Sequence, residues 1–455
     1  MFNAQNAAGS SPLSSSMKRV ITSCMIGNAL EWYDFALYIY FGNIIGRLFF
    51  PSADPHMERM MTYGVFAAGF IARPIGAVIF GYIGDRWGRK TALLLSIYLM
   101  AIPTALIGML PTYETIGVWA GILMTLLRIS QGLALGGEFT GSMVFLVEHA
   151  KKEKQNFAGS FAPFSLALGF CLGSLTATVI IKALSTSALE TWGWRLPFII
   201  SLAGTLVGTY IRRQLSDPKV FLDFKNARKK DAVSIWSLLK EQKFNLGLVL
   251  WIDVLTAIGY YLLTSFLPNY MTEYLGYSKN MGFTMSNIHI VVLAISILAG
   301  GWLADRVGQR RIMLFGAVSM ALLSYPLFSL LIASGQSSPI IGGLTISLIF
   351  VSFGLFFGPI PAALCNLFPT PIRFTGLALS HNLAMAICGG TAPLLAFHFM
   401  KIYNSYTVPA TLLTGAALIS AAGVLFLPQD AKKAVSKIKK SKRALVPSSQ
   451  FAATN

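Results

Sequence analysis

Charge is scarce in this chain, and acidic charge scarcest. Only 12% of the 455 residues are Asp, Glu, Lys or Arg, whereas 55% are hydrophobic. That is about half the charged share of a soluble protein. So few charges could not cover a water-soluble globule of this length, which excludes one. Cysteine is also sparse, limited to Cys24, Cys171, Cys365 and Cys388. All four fall in apolar stretches, without metal-ligand spacing or an exterior pair, and read as small buried hydrophobes. No cleavable signal peptide is expected, because the first apolar segment is long and carries Glu31 and Asp34. The tail from Asp430 lacks a heptad pattern, which argues against a coiled coil. No nucleophile–base pair or metal cluster stands out, so an enzyme is not expected.

Long apolar runs fill the chain instead. Segments of roughly 20 residues, enough to cross a bilayer as a helix, recur about twelve times. They lie near 20–46, 60–83, 91–110, 116–147, 157–182, 194–212, 244–268, 282–304, 311–333, 339–364, 373–400 and 407–427. The expected fold class is an all-α polytopic membrane protein with about twelve transmembrane helices in two six-helix bundles. The net charge of +18 invites a nucleic-acid reading until its location is considered. Basic residues gather in alternate connections: Lys18 and Arg19, Arg86 to Lys90, Lys151 to Lys154, Arg212 to Lys243, Arg306 to Arg311, Arg373, and Lys432 to Arg443. The connections between carry few, such as Arg47, Arg59, Lys182, Lys279 and Lys401. This is the positive-inside pattern, and it predicts cytoplasmic N- and C-termini. Membrane lipids rather than nucleic acid then account for the basic surface.

One cassette occurs twice, each time closing a long apolar stretch. The first copy is Gly81-Tyr82-Ile83-Gly84-Asp85-Arg86-Trp87-Gly88-Arg89-Lys90. The second runs from Gly301 through Asp305, Arg306, Gly308 and Gln309 to Arg310 and Arg311. A repeat spaced by nearly half the chain predicts a duplicated unit, with ligand bound where the two copies meet. The expected organisation is a disordered tail over 1–17, a first bundle over 18–212, a cytoplasmic linker over 213–242, a second bundle over 243–428 and a basic tail over 429–455. The linker contains Ser216-Asp217-Pro218 and Arg228-Lys229-Lys230, with a surface helix expected around Ser234 to Lys243. Glycine pairs four residues apart, Gly132 with Gly136, Gly137 with Gly141 and Gly169 with Gly173, predict close helix contacts in lipid.

Several charges interrupt the apolar runs. Arg73 falls near the middle of the second span, where a charge costs at least ~2.5–3.5 kcal/mol unless it meets a cavity or a partner. Asn28, Glu31 and Asp34 share one face of the first span, and Arg128, Gln131 and Glu138 share one face of the fourth. These helices are expected to pair their charges across the first half. Such a network either fixes packing or moves protons, since burial favours a protonated carboxyl. Glu31, Asp34 and Glu138 are the candidates for proton coupling. Arg73 or Arg128, with Gln131, are candidates to hold a substrate carboxylate. In the second half Asp253, Thr256 and Tyr260 lie on one face with Tyr261 alongside, and His381 and Asn382 lie in the eleventh span. Asp253, Tyr260, Tyr261 and Asn382 complete the candidate substrate set. Trp32 and Tyr33 add rings able to hold a quaternary ammonium, though aromatics also serve as interfacial anchors.

The repeated cassette closely resembles the signature loop of the major facilitator superfamily. Gly27-Asn28-Ala29-Leu30-Glu31-Trp32-Tyr33-Asp34-Phe35, Ala72-Arg73-Pro74-Ile75-Gly76 and Trp194-Arg195-Leu196-Pro197-Phe198 narrow the resemblance to its metabolite:proton symporters. Gln131 to Glu138 and Leu367-Phe368-Pro369-Thr370 through Gly376 agree. Ile258-Gly259-Tyr260-Tyr261 through Tyr270 looks most like the proline/betaine transporters, although the coiled coil of some of those is missing. The resemblance implies the major facilitator fold and rocker-switch alternating access in a cell inner membrane. It implies uptake of a small polar metabolite with a proton as coupling ion and no other cofactor, by a chain expected to be monomeric. A proline/betaine-type zwitterion is the first expectation; an organic acid, or export of a metabolite or siderophore, is the alternative, and a membrane sensor is a remote one. It further implies a gating latch formed by Gly81, Asp85, Arg86, Gly88 and Arg89, matched more loosely by Asp305 and Arg306 because Gln309 stands where the first copy has Arg89.

Overall fold

The computed structural model describes residues 15–213, 216–218, 221–223, 241–334 and 338–428. The expected N-terminal tail up to residue 14, the surface helix before residue 241 and the tail from residue 429 lie outside the described residues. Among the described residues the chain is helical and contains no strand. Six long helices precede the linker: α1 Ser15–Tyr40, α2 Pro55–Arg86, α3 Arg89–Met109, α4 Val118–His149, α5 Gln155–Ala183 and α6 Arg195–Arg213. Six follow it: α7 Lys243–Tyr261, α8 Lys279–Val307, α9 Gln309–Ser334, α10 Pro339–Phe357, α11 Arg373–Ala384 and α12 Val408–Leu425.

Ten helices are long and apolar enough to cross a bilayer, or eleven when the bent pair Thr186–Gly193 and Arg195–Arg213 counts as one. The sequence predicted about twelve. The helix that falls short is α1, which is long enough at 26 residues but loses hydropathy to Asn28, Glu31 and Asp34. Helix is the only local structure that satisfies the backbone without water, so apolar sequence of this length must coil. The outward faces remain apolar: Ile71 is 70% exposed, Leu206 65% and Ile340 75%. Several charged groups within the spans, by contrast, are buried, with Arg73, Arg89, Arg128, Arg212, Glu31, Glu138 and Asp253 at 1% exposure or less. The arrangement is that of a protein solvated by lipid, with its polar groups turned inward.

Within the first six helices, α2 packs on α4, α1 on α5, and α3 on α4 and α6; within the last six, α9 packs on α10 and α12, α8 on α10, and α7 on α12. The two sets meet chiefly along α5 with α8 and α2 with α11. Lipid gives no hydrophobic drive for helix association, so close packing must supply it. The predicted glycines do this. A Cβ at Gly132 would overlap the Gly69 carbonyl, and one at Gly136 would overlap the Arg73 carbonyl. Gly169 lies against Ala29 and Trp32 in the same way.

Among the described residues, single π-helical turns break two helices of the second half, and a third, Leu189–Gly193, precedes α6. The chain after α7 runs through Leu262–Phe266 into Leu267–Glu273, and α11 continues through Met385–Gly389 into Ala392–Tyr403. Such turns free backbone groups and re-aim side chains, and they recur at functional sites. The two in the second half flank the centre of the molecule, where Tyr261 and Met385 line a common cavity.

Candidate functional site

Two regions concentrate the predicted residues. One is a cavity between the two sets of helices, and the other is the end of the bundle that carries the cassettes.

The central cavity, of ≈ 10 Å³, is lined by Trp32, Arg73, Phe139, Leu166, Thr256, Tyr260, Tyr261, Phe357, His381 and Met385. That is room for about one water, so this conformation is closed around its centre. Rings make up most of the wall, with Tyr260 edge-on to Phe170 at 5.4 Å and Phe139 beside His381 at 5.4 Å. Arg73 supplies the cation. Its Nε donates to Asn382 Oδ1 at 2.9 Å and one terminal nitrogen donates to the Tyr261 hydroxyl at 3.2 Å. Both partners come from the second half, and the guanidinium also lies 5.6 Å from the Trp32 ring. Asn382 in turn donates to the Gly136 and Ala378 carbonyls, which holds α11 against α4. The Thr256 and Tyr260 hydroxyls are buried with no partner. Unpaired buried polar atoms are rare and costly, and they mark places where a ligand group fits.

The expected pairing of Arg73 and Arg128 with carboxylates of the first half does not occur. Arg128 donates to Gln131 Oε1 at 2.7 Å and is sandwiched between Phe35 and Tyr38, each 4.4 Å away. Gln131 passes the chain on to the Thr104 hydroxyl at 2.7 Å. Neither Arg128 nor Gln131 lines the cavity, nor does Tyr33, whose backbone carbonyl lies against Gly173 of α5. Ring faces offset part of the desolvation of Arg128, which is why it survives there without a carboxylate.

Glu138 has a partner that sequence reasoning assigned elsewhere. Arg212 was grouped with the basic linker, yet it is buried and forms a bidentate pair with Glu138, including one contact of 2.9 Å. Ser96 adds a donor to the same carboxylate at 2.5 Å. A Cβ at Gly27 would overlap the Arg212 guanidinium, so that glycine makes room for it one turn before Glu31. Glu31 stands within the electrostatic reach of Glu138, Arg212, Arg73 and Asp34, yet both its carboxylate oxygens are buried and unpartnered. Asp34, also buried, lies beside Ser201 and Thr104 with one oxygen unpartnered. The only sequence cue to Arg212 was that a buried Glu138 needs a cation.

In the second half, Asp253 Oδ2 accepts from His381 Nδ1 at 2.8 Å, and both groups are buried. Asp253 reaches the cavity only through this histidine.

At the cassette end, each aspartate serves a helix of the opposite half. Asp85 accepts from the Thr375 N–H at 2.9 Å and from its hydroxyl at 2.6 Å. Asp305 accepts from the N–H groups of Asn156 and Phe157, each at 3.0 Å, and from the Asn156 side chain. These donors lie in the first turns of α11 and α5, where N–H groups have no partner within the helix. Neither helix has a side-chain cap of its own. A carboxylate arriving from the other half satisfies those groups and opposes the positive end of the helix dipole. Gly81 and Gly301 permit the approach, since a Cβ would meet Thr375 Cα at 2.7 Å or Ser160 Oγ at 2.6 Å.

The copies differ in what surrounds the aspartate. Arg89 is buried and donates to Asp85 at 2.5 Å, to the Gly84 carbonyl at 2.7 Å and to the Thr370 carbonyl at 3.0 Å. Glu148 lies 3.4 Å from Arg89 and 2.9 Å from Arg373, tying α4 to α11. Gly88, with φ 125°, takes a conformation that suits glycine, and its neighbour Lys90 donates its N–H to Asp217 at 2.8 Å. Glu148 was not singled out from sequence, and Asp217 was read only as part of the linker. Arg86 and Arg306 do not bridge the halves; Arg86 lies on Tyr82 of its own helix and Arg306 sits 3.6 Å over Trp302. Their exposed side chains follow from helical spacing, which turns the residue after each aspartate outward.

Comparison with known proteins identifies the family and the fold. The profile of the Major Facilitator Superfamily matches residues 36–393 and again 254–454. The glycine betaine/proline/ectoine/pipecolic acid transporter OusA of Dickeya dadantii is 33% identical over 436 residues, covering 92% of this chain and 84% of that protein. The proline/betaine transporter of Escherichia coli strain K12 is 31% identical over 454 residues, covering 94% and 88%. Among solved structures, the proton:xylose symporter XylE bound to 6-bromo-6-deoxy-D-glucose superposes with a TM-score of 0.78 at 17% identity, covering 91% of this chain and 96% of that one. This likeness concerns the fold. The chain belongs to the Major Facilitator Superfamily and is a polytopic membrane transporter.

Proposed function

We propose that this transporter is a proton-coupled symporter that takes up a proline- or betaine-type zwitterion by alternating access. The observation that carries the reading is the composition of the central cavity. It combines the rings of Trp32, Phe139, Tyr260 and Phe357 with the cation of Arg73. Rings suit a secondary or quaternary ammonium, and a guanidinium suits a carboxylate. The names of the OusA and Escherichia coli relatives point to the same substrate class. Glu31 is the proposed proton carrier, because both its oxygens are buried without a partner and Arg212 lies one turn away. Asp34 is the second candidate, while Glu138, held by Arg212 and Ser96, orders the helices around them.

The alternation of basic connections supports twelve spanning helices with both termini in the cytoplasm of a cell inner membrane. On this reading 18–212 and 243–428 form the two moving bundles of a monomer, the cassettes lie on the cytoplasmic side, and the proton is the sole coupling agent. The closed cassette end then corresponds to a state from which binding of proton and substrate together shifts the population.

The presence of Arg73 in the cavity also favours an organic acid as a second reading. Purified protein in vesicles with an imposed proton gradient separates the two. Accumulation of labelled proline or glycine betaine, lost when the gradient is collapsed, is the expected result. Accumulation of citrate or α-ketoglutarate instead would replace the zwitterion, and uptake indifferent to the gradient would refute symport.

A further inference from the structure

We infer that His381, held by Asp253, provides a proton-dependent hydrogen-bond donor for the carboxylate of the transported zwitterion, so that this half of the cavity binds substrate and proton together. The inference rests on the reading that such a zwitterion enters the central cavity.

The two nitrogens of the His381 ring stand in different surroundings. His381 Nδ1 is committed to Asp253 Oδ2 at 2.8 Å. His381 Nε2 is buried, has no partner, and belongs to a side chain that lines the cavity. The Phe139 ring, 5.4 Å away, restrains the imidazole from the side of the first half. With Nδ1–H donated to the carboxylate, the neutral tautomer carries a lone pair at Nε2. That lone pair repels a substrate carboxylate. One added proton converts the same atom into an N–H donor, and Asp253 balances the charge without leaving its position. The proton stays on Nε2 while a carboxylate oxygen of the substrate accepts the hydrogen bond, and both depart when the site opens. The unpartnered Thr256 and Tyr260 hydroxyls are available to the second oxygen.

The groups facing this imidazole are few. From α7 they are Asp253, Tyr260 and Tyr261, and from α2 Arg73. Cys388 lies near Asp253 in the π-helical turn. Helix α4 presents Phe139, while Glu138 is engaged by Arg212 and Ser96. Arg73 already donates to Asn382 and Tyr261. The free nitrogen of His381 is therefore the donor whose availability depends on a proton.

Binding of labelled proline to the purified full-length protein across pH from about 5.5 to about 9 tests this. The measurement uses the Glu31→Gln protein, so that the carboxylate of the first half contributes no proton linkage. Affinity should fall on the alkaline side by about tenfold per pH unit, the slope of one proton taken up with each substrate. Adding His381→Gln supplies a donor that does not titrate, and the slope should vanish. Asp253→Asn keeps a hydrogen-bonding partner without the charge, and should move the midpoint to lower pH. An unchanged slope in a folded His381→Gln protein overturns the inference while leaving zwitterion symport intact. If that variant fails to fold, an unmoved midpoint in Asp253→Asn overturns it equally. Failure of the unsubstituted protein to bind proline or glycine betaine at any pH would remove the zwitterion reading, and this inference with it.

Discussion

The two cassettes perform one task with unequal equipment. Asp305 caps α5 alone, with three hydrogen bonds to Asn156 and Phe157. Asp85 caps α11 with two, yet it sits beside Arg89, which reaches Thr370 and Glu148, and Glu148 reaches Arg373. The first latch is thus a buried charge network, and the second is a single cap. The halves differ in the same sense at their centres. The first holds Glu31, Asp34 and the Glu138–Arg212 pair, whereas the second holds one pair, Asp253 with His381. A duplicated fold has kept its helix geometry and placed most of its ionic chemistry in one copy.

The largest effect should come from breaking the ion pair of the first half. Arg212→Met leaves Glu138 buried without its cation, at a cost of about 3–5 kcal/mol. Thermal unfolding in detergent should register it as a much lower Tm than for Asp253→Asn, which retains a hydrogen bond to His381. Equal losses would mean that the two pairs matter alike to folding.

Coupling should divide next. Glu31→Gln is expected to lower gradient-driven accumulation well below that of the unsubstituted protein, leaving the part driven through His381, while sparing part of the exchange of labelled substrate. Asp253→Asn should still accumulate substrate at acid pH. If Glu31→Gln and Asp34→Asn both accumulate normally, the proton carrier lies outside the first span.

The latches can be compared through spin labels at Trp87 and Asn366, exposed positions near the cassette end of opposite halves. Loss of a helix cap costs about 0.5–2 kcal/mol. Asp85→Asn should therefore raise the long-distance population several-fold, and more than Asp305→Asn does, because it also strands Arg89. A larger response to Asp305→Asn would reverse the proposed asymmetry.

Gln309→Arg, which restores the missing arginine, should have the smallest effect, about 0.5 kcal/mol or less. The end of α4 offers Glu148 to Arg89, whereas the corresponding end of α10 is followed by Cys365 and Asn366. The new guanidinium would have Asp305 four residues before it, as Arg89 has Asp85, but lacks a second carboxylate in the place of Glu148 and gains little. A shift as large as that of Asp85→Asn would show that arginine alone makes the latch.

Much of this was legible in the residues. Apolar runs located the helices to within a few positions, since length and hydropathy decide whether a segment can leave water. Glycine spacing anticipated that α4 and α5 pack closely on neighbouring helices, because only small residues let backbones touch; the structure shows those neighbours to be α2 and α1. The reading failed where partners came from distant sequence. Arg212 ends the sixth helix among basic residues, and nothing local separates it from its neighbours; burial against Gly27 and Glu138 does. Arg128 shares a helical stripe with Glu138 but lies nearly three turns away, too far to pair, and settles between rings instead. Arg86 was included in the latch with Asp85, although adjacent residues on a helix point about 100° apart.

By itself the sequence determined that this chain lives in a membrane, is built from a repeated unit and carries its repeat marker at matching helix ends. Those properties depend on composition and period, which are local and additive along the chain. Only the tertiary structure decided which charges meet. It assigned Arg212 to Glu138, Arg73 to Asn382 and Tyr261, and each cassette aspartate to a helix of the other half. Pairing of buried charges is a matter of a few ångströms between segments far apart in sequence, and such distances exist only once the helices have packed.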